Sequence, residues 1–208
     1  MTDYIYLHGF ASGPSSRKAQ FFAAKLREGG ARVDVPDLAR DGFENLTLSG
    51  QLEVITEVAA GRPVSIIGSS MGGYLAALYA ARHPEVRQLV LMAPAFGFLS
   101  RWPDAMGENK MDEWRKQGKL EFFHYGEQRM RSVGYALIED GAQYDEYPDA
   151  QPPTLIFHGL NDDVVPVENS RRFVATHPQA RLVEFQSGHE LTDVMDAMWT
   201  EAAKFLLA

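Results

Sequence analysis

No cysteine occurs among the 208 residues. That rules out disulfides, a thiolate nucleophile and cysteine-held metals, and it suits a reducing compartment. Positive charge is scarce too, with 20 Lys and Arg against 28 Asp and Glu for a net charge of −8. Nucleic-acid binders set a cationic face against phosphate, so no nucleic-acid partner is expected. No run approaches the roughly 20 apolar residues of a membrane span. The start Met1-Thr2-Asp3 carries an acid where a signal peptide carries basic residues. A cytoplasmic protein without a membrane span is expected. With 45% hydrophobic residues the chain can build one sizeable core, and a single domain over residues 1–208 is expected.

What the chain does contain is a regular alternation. Short apolar runs at residues 4–7, 33–35, 64–69, 88–92, 154–157 and 181–185 read as strands, and segments with helical periodicity separate them. The last helix shows the stripe Leu191, Val194, Met195, Met198, Ala202, Phe205 and Leu206. Unbroken apolar strands that alternate with helices imply a parallel sheet covered on both faces. One long interruption, residues 95–153, exceeds an ordinary connection. Within it, residues 104–116 and 134–144 read as helical and 119–125 as β-like. Its aromatics Trp102, Trp114, Phe122, Phe123, Tyr125 and Tyr135 are expected to fill a small satellite core, and some of them to cap a site.

The most informative stretch is Val64-Ser65-Ile66-Ile67-Gly68-Ser69-Ser70-Met71-Gly72-Gly73. It reads as a buried strand, a Gly-x-Ser-x-Gly turn and the start of an apolar helix over residues 74–82. Such a turn strains the backbone of the central serine and lifts its hydroxyl clear of the strand's carboxyl end. Ser70 is therefore a candidate nucleophile. A phosphate-binding loop is excluded because no lysine follows Gly73, and a dinucleotide fold because the G-x-G-x-x-G spacing is missing.

A serine hydroxyl needs an imidazole to take its proton and a carboxylate to hold that imidazole. Of the six histidines, His83 and His177 precede strands and so belong to the wrong edge of a parallel sheet. His8, His158 and His189 follow strands, and His124 falls in the interruption. His189 follows the last strand behind a glycine, and the order nucleophile, acid, base selects it. The acid should leave the fifth strand, at His158-Gly159-Leu160-Asn161-Asp162-Asp163. Asp162 is chosen, with Asp163 as the fallback. His158, Asp162, Asp163 and His189 lack the spacing of a helical zinc site, so no metal and no cofactor is expected. The developing alkoxide needs backbone donors, for which the amides of Met71 and Phe10 are the candidates. His8 is expected to brace its own loop by hydrogen bonding.

Ser70, Asp162, His189 and the His8-Gly9-Phe10 loop together make the chain resemble the α/β-hydrolase superfamily from end to end. The segments Tyr6-Leu7-His8-Gly9-Phe10, with Ser12 and Arg17-Lys18-Ala19, and Gly68-Ser69-Ser70-Met71-Gly72-Gly73-Tyr74 are similar to small YqiA-type bacterial esterases. Trp114-Arg115-Lys116-Gln117-Gly118 and Leu137-Ile138-Glu139-Asp140 resemble the acyl-protein and acyl-glucuronide thioesterase/esterase branch. The resemblance implies a three-layer α/β fold with a mainly parallel six-stranded sheet in the order 2-1-3-4-5-6, and residues 95–153 as a cap insertion. It also implies hydrolysis of a small-molecule carboxylic ester or thioester with a small to medium acyl group, through an acyl-enzyme. The short chain and the absence of an apolar lid segment disfavour long-chain triglycerides. Two other readings remain open: the same triad could serve an acyltransferase or perhydrolase, or the scaffold could be a ligand-binding homologue without catalysis.

Overall fold

The computed structural model describes residues 3–207. The chain opens with β1 (Asp3–Leu7), α1 (Arg17–Glu28) and β2 (Arg32–Asp34). It continues through α2 (Leu48–Ala59), β3 (Val64–Ser69), α3 (Met71–Ala80) and β4 (Val86–Met92). The interruption follows, with α4 (Phe98–Met106), α5 (Glu108–Gln117), β5 (Lys119–His124), β6 (Arg129–Gly134) and α6 (Ala136–Gly141). It is closed by β7 (Thr154–Gly159), α7 (Val167–Thr176), β8 (Ala180–Phe185) and α8 (Met195–Leu206).

The main sheet has the order β2-β1-β3-β4-β7-β8, the expected order once the hairpin strands β5 and β6 are set aside. Every pairing within it is parallel. Because successive strand residues face opposite sides, the sheet feeds two cores. Ile5, Leu7, Ile66, Leu89, Leu91 and Ile156 pack with α2, α3 and α7 on one side. Tyr4, Tyr6, Ile67, Val90, Leu155 and Phe157 pack with α1 and α8 on the other. All ten residues of α3 are buried, and alanines at 76, 77 and 80 let it lie close to the sheet.

Four local expectations are corrected. The helix after the turn starts at Met71 rather than at residue 74. The last helix starts at Met195, because Leu191 adopts φ +52° and cannot continue a right-handed helix, although its side chain is still buried. The single helix expected over 104–116 is two helices broken at Gly107, whose φ is +82°. The helical piece expected from 134 shrinks to α6, since Arg129–Gly134 pairs antiparallel with β5 from Lys119↔Gly134 to His124↔Arg129.

This inserted hairpin is fastened over the carboxyl edge of the main sheet. The Tyr125 amide donates to Ala11 O at 2.8 Å, and Phe122 packs edge-on against Phe10 at a centroid distance of 5.3 Å. Trp114 is fully buried and donates Nε1–H to Val133 O at 2.9 Å, tying α5 to β6. Phe123 and Tyr125 point outward. No helix among the described residues is long and apolar enough to cross a membrane.

Candidate active site

The turn between β3 and α3 holds Ser70 at φ +53° and ψ −116°, the strained backbone its motif requires. Its neighbours have to be glycine. A Cβ on Gly68 would overlap the backbone of Gly72 and Gly73, and one on Gly72 would overlap the carbonyls of Leu7 and His8. The glycines therefore let α3 lie directly against β3 and β1. The turn is pinned from the other side by Ser70 N donating to Met92 O at 2.8 Å and Ala95 N donating to Ser70 O at 3.0 Å.

His189 reaches this serine from the loop after β8, with Nε2 at 3.0 Å from Ser70 Oγ. Its Nδ1 lies 2.8 Å from Asp162 Oδ2 in the loop after β7. A carboxylate can only accept, so Nδ1 carries the proton and Nε2 is left to accept from the serine hydroxyl. The two loops are laced together by Leu160 N donating to Phe185 O at 2.8 Å and Asn161 N donating to Ser187 O at 3.0 Å. The ring is thereby held in register with the carboxylate.

Asp162 is fully buried at its side chain. Burial alone would raise its pKa, but hydrogen bonds from His158 and His189, the charge of His189 and the Val165 amide outweigh it and hold the carboxyl well below the usual range. Oδ1 accepts from the amides of Val164 and Val165 at 2.9 and 2.8 Å, which leaves Oδ2 for the imidazoles. The adjacent Asp163 is exposed and does not join this network.

The remaining histidines sort by their partners. His8 accepts the Leu38 amide on Nε2 at 3.1 Å and sits with Nδ1 3.0 Å from Gly9 O, so it braces the loops after β1 and β2. Burial lowers its pKa against the raising contacts with Gly9 and Asp37. His158 turns into the core, with Nδ1 at 2.7 Å from Ser170 Oγ and Nε2 at 2.8 Å from Val165 O. His124 lies edge-on to Phe43 and accepts the Glu127 amide.

Two cavities meet at Ser70. One, of about 160 Å³, is walled by Phe10, Met71, Ala95, Phe98, Trp102 and Val165, with Arg101 at its side. The other, of about 240 Å³, runs past His189 to Tyr6, Ser16 and Lys18. Phe10 and Met71, whose amides were singled out in the sequence, both flank the serine in the first cavity. Of the inserted aromatics, Phe98 and Trp102 line the first cavity and Tyr125 the second, while Trp114 belongs to the satellite core. Sequence reasoning missed Arg101, Lys18 and the attachment of His158 to Asp162. An isolated cation carries no periodic signal, and the His158–Asp162 spacing of four residues could have been noticed.

Comparison with known proteins gives the family and the fold. The model of the family described as "Uncharacterised protein family (UPF0227)" matches residues 3–206. Esterase YjfP from Escherichia coli strain K12 is 28% identical over 189 residues, covering 81% of this chain and 71% of that protein. A pimeloyl-[acyl-carrier protein] methyl ester esterase from Chromobacterium violaceum is 24% identical over 225 residues, covering 90% of this chain and 87% of that protein. Among solved structures, alpha/beta hydrolase domain-containing protein 10 from mouse superposes with a TM-score of 0.83 at 18% identity, over 98% of this chain and 89% of that one. The fold is that of the α/β hydrolases.

Proposed function

The chain belongs to the UPF0227 family, and on that footing we propose that it is a serine esterase that cleaves carboxylic esters or thioesters of small to medium acyl groups through an acyl-enzyme. The curated relatives are esterases by name, which supports ester hydrolysis as the reaction class. The observation that carries the finer reading is the unbroken hydrogen-bond chain from Ser70 Oγ through His189 to Asp162 at the meeting point of two cavities.

In this mechanism Ser70 Oγ attacks the ester carbonyl while its proton passes to His189 Nε2. The imidazolium is stabilised by Asp162, whose depressed pKa keeps it ionised. The carbonyl oxygen becomes an alkoxide facing the amides of Phe10 and Met71, two donors that need no reorganisation. His189 then returns the proton to the departing alcohol or thiol oxygen or sulfur. Water enters, gives its proton to His189 and attacks the acyl-serine, and the collapse of the second alkoxide frees the acid and restores the hydroxyl. The apolar cavity takes the acyl chain, and residues 95–153 act as a cap that supplies Phe98 and Trp102 to its wall.

Ser70→Ala is expected to lower hydrolysis of p-nitrophenyl acetate by roughly three orders of magnitude or more, with an unchanged circular dichroism spectrum and melting curve. A fluorophosphonate probe should label the parent protein at Ser70 and leave the variant unlabelled. Near-normal turnover in the variant would overturn the proposal.

A further inference from the structure

The second cavity is built differently from the first. Its far wall is the start of α1, where the first turn contains no acid and instead carries Arg17 and Lys18. Two cations there oppose the positive end of the helix dipole. Ser16 stands at the N-cap position, yet its side chain caps no backbone amide. Lys18 is only 9% exposed and makes no hydrogen bond or ion pair among the described residues. The buried Tyr6 hydroxyl in the same wall is likewise without a partner among them. A buried hydroxyl left unpaired is costly, and so is a cation whose stem is buried in a cavity wall with no counter-charge in contact.

We propose that this cavity binds an anionic group, a carboxylate or a phosphate, carried by the alcohol half of the ester. The inference rests on the reading of Ser70 as nucleophile, which fixes where the two halves of the substrate lie. The acyl half enters the apolar cavity and the alcohol half faces Lys18, the Tyr6 hydroxyl and the uncapped amides of α1. Glu190 sits exposed on the rim and does not pair with Lys18, so the charged side chains of the wall remain net positive. Burial lowers the Lys18 pKa against the raising influence of Glu190 and Asp162, and a bound anion would reverse that shift.

The test uses three butyrate esters: of 3-hydroxypropanoate, of its methyl ester, and of 2-hydroxyethyl phosphate. The parent protein is expected to favour at least one anionic ester over the neutral one by roughly tenfold or more in kcat/KM, the scale of one charge-assisted hydrogen bond. The larger of the two preferences identifies carboxylate or phosphate. In Lys18→Met the ratio should fall to near one, and in Lys18→Arg it should be largely kept. A ratio near one in the parent for both anions, or a ratio that survives in a folded Lys18→Met, would overturn the inference. Should Lys18→Met not fold, 3-hydroxypropanoate and 2-hydroxyethyl phosphate are tested as inhibitors of the parent on the neutral ester. Competitive inhibition at millimolar concentrations by either supports the site, and none by either overturns it. Turnover of the neutral ester separates the two levels: if Ser70→Ala retains it, the nucleophile reading fails, whereas a ratio near one beside an inactive Ser70→Ala removes the anion site alone.

Discussion

His158 and His189 converge on one oxygen of Asp162, with His158 Nε2 at 3.2 Å and His189 Nδ1 at 2.8 Å from Oδ2. His158 is fully buried and braced by Ser170, so in the proposed mechanism it acts only through the carboxylate, as a positioning residue. His158→Phe keeps much of the volume and removes the donor. Loss of a hydrogen bond to a charged group should lower kcat by roughly tenfold to a hundredfold and lower the melting temperature. The Asp162 carboxyl is held below its unfolded value, so its charge favours the folded state above about pH 4 and that contribution fades as pH falls through the depressed folded pKa. Without His158 the fade should move to higher pH. A merely space-filling role would leave it where it is.

Asp162→Asn and Asp163→Asn separate the two adjacent carboxylates. The first should cost roughly four orders of magnitude in kcat, because an amide can donate to His189 Nδ1 and trap the wrong tautomer. The second, at an exposed position outside the network, should stay within about twofold, the usual range for such surface changes. Side-by-side assays on one p-nitrophenyl ester decide it, and the reverse pattern would reassign the acid.

Trp102 closes the apolar cavity beside Phe98 and Phe10. Along a series of p-nitrophenyl esters, kcat/KM should rise about fourfold per methylene while the chain still finds apolar wall, since each buried methylene is worth about 0.8 kcal/mol. Trp102→Ala should carry the optimum to longer chains. An unchanged optimum would mean that the acyl chain lies elsewhere.

Gly72→Ala tests the close approach of α3 to β1. The new methyl would meet the Leu7 and His8 carbonyls, neither of which can rotate away. Overpacking of this kind costs about 1–3 kcal/mol, or a drop of roughly 2–12 °C in melting temperature for a chain of this size. A variant that melts with the parent would show that the turn has room to relax.

The sequence by itself determined where the six sheet strands lie and the turn that strains Ser70, and it offered Asp162 and His189 as candidate partners; the order of the strands in the sheet was what the family resemblance implied. The strands and the turn follow from local patterns: apolar runs of fixed length and glycines two residues either side of Ser70. Only the tertiary structure decided which side chains share a cavity and which partner each buried polar group finds. Arg129–Gly134 gives little sign of a strand until Lys119–His124 lies beside it, because a half-exposed hairpin draws its stability from cross-strand contacts. His158 reads in the sequence as following its strand, as His189 does, but it lies within β7 and faces the α7 side with Ile156, where Ser170 meets it. Lys18 reads as an ordinary helix cation until folding buries most of it in the wall of a cavity shared with Ser70, with no ion pair among the described residues. Periodicity reports a residue's own backbone, whereas burial and pairing depend on what distant segments bring to it.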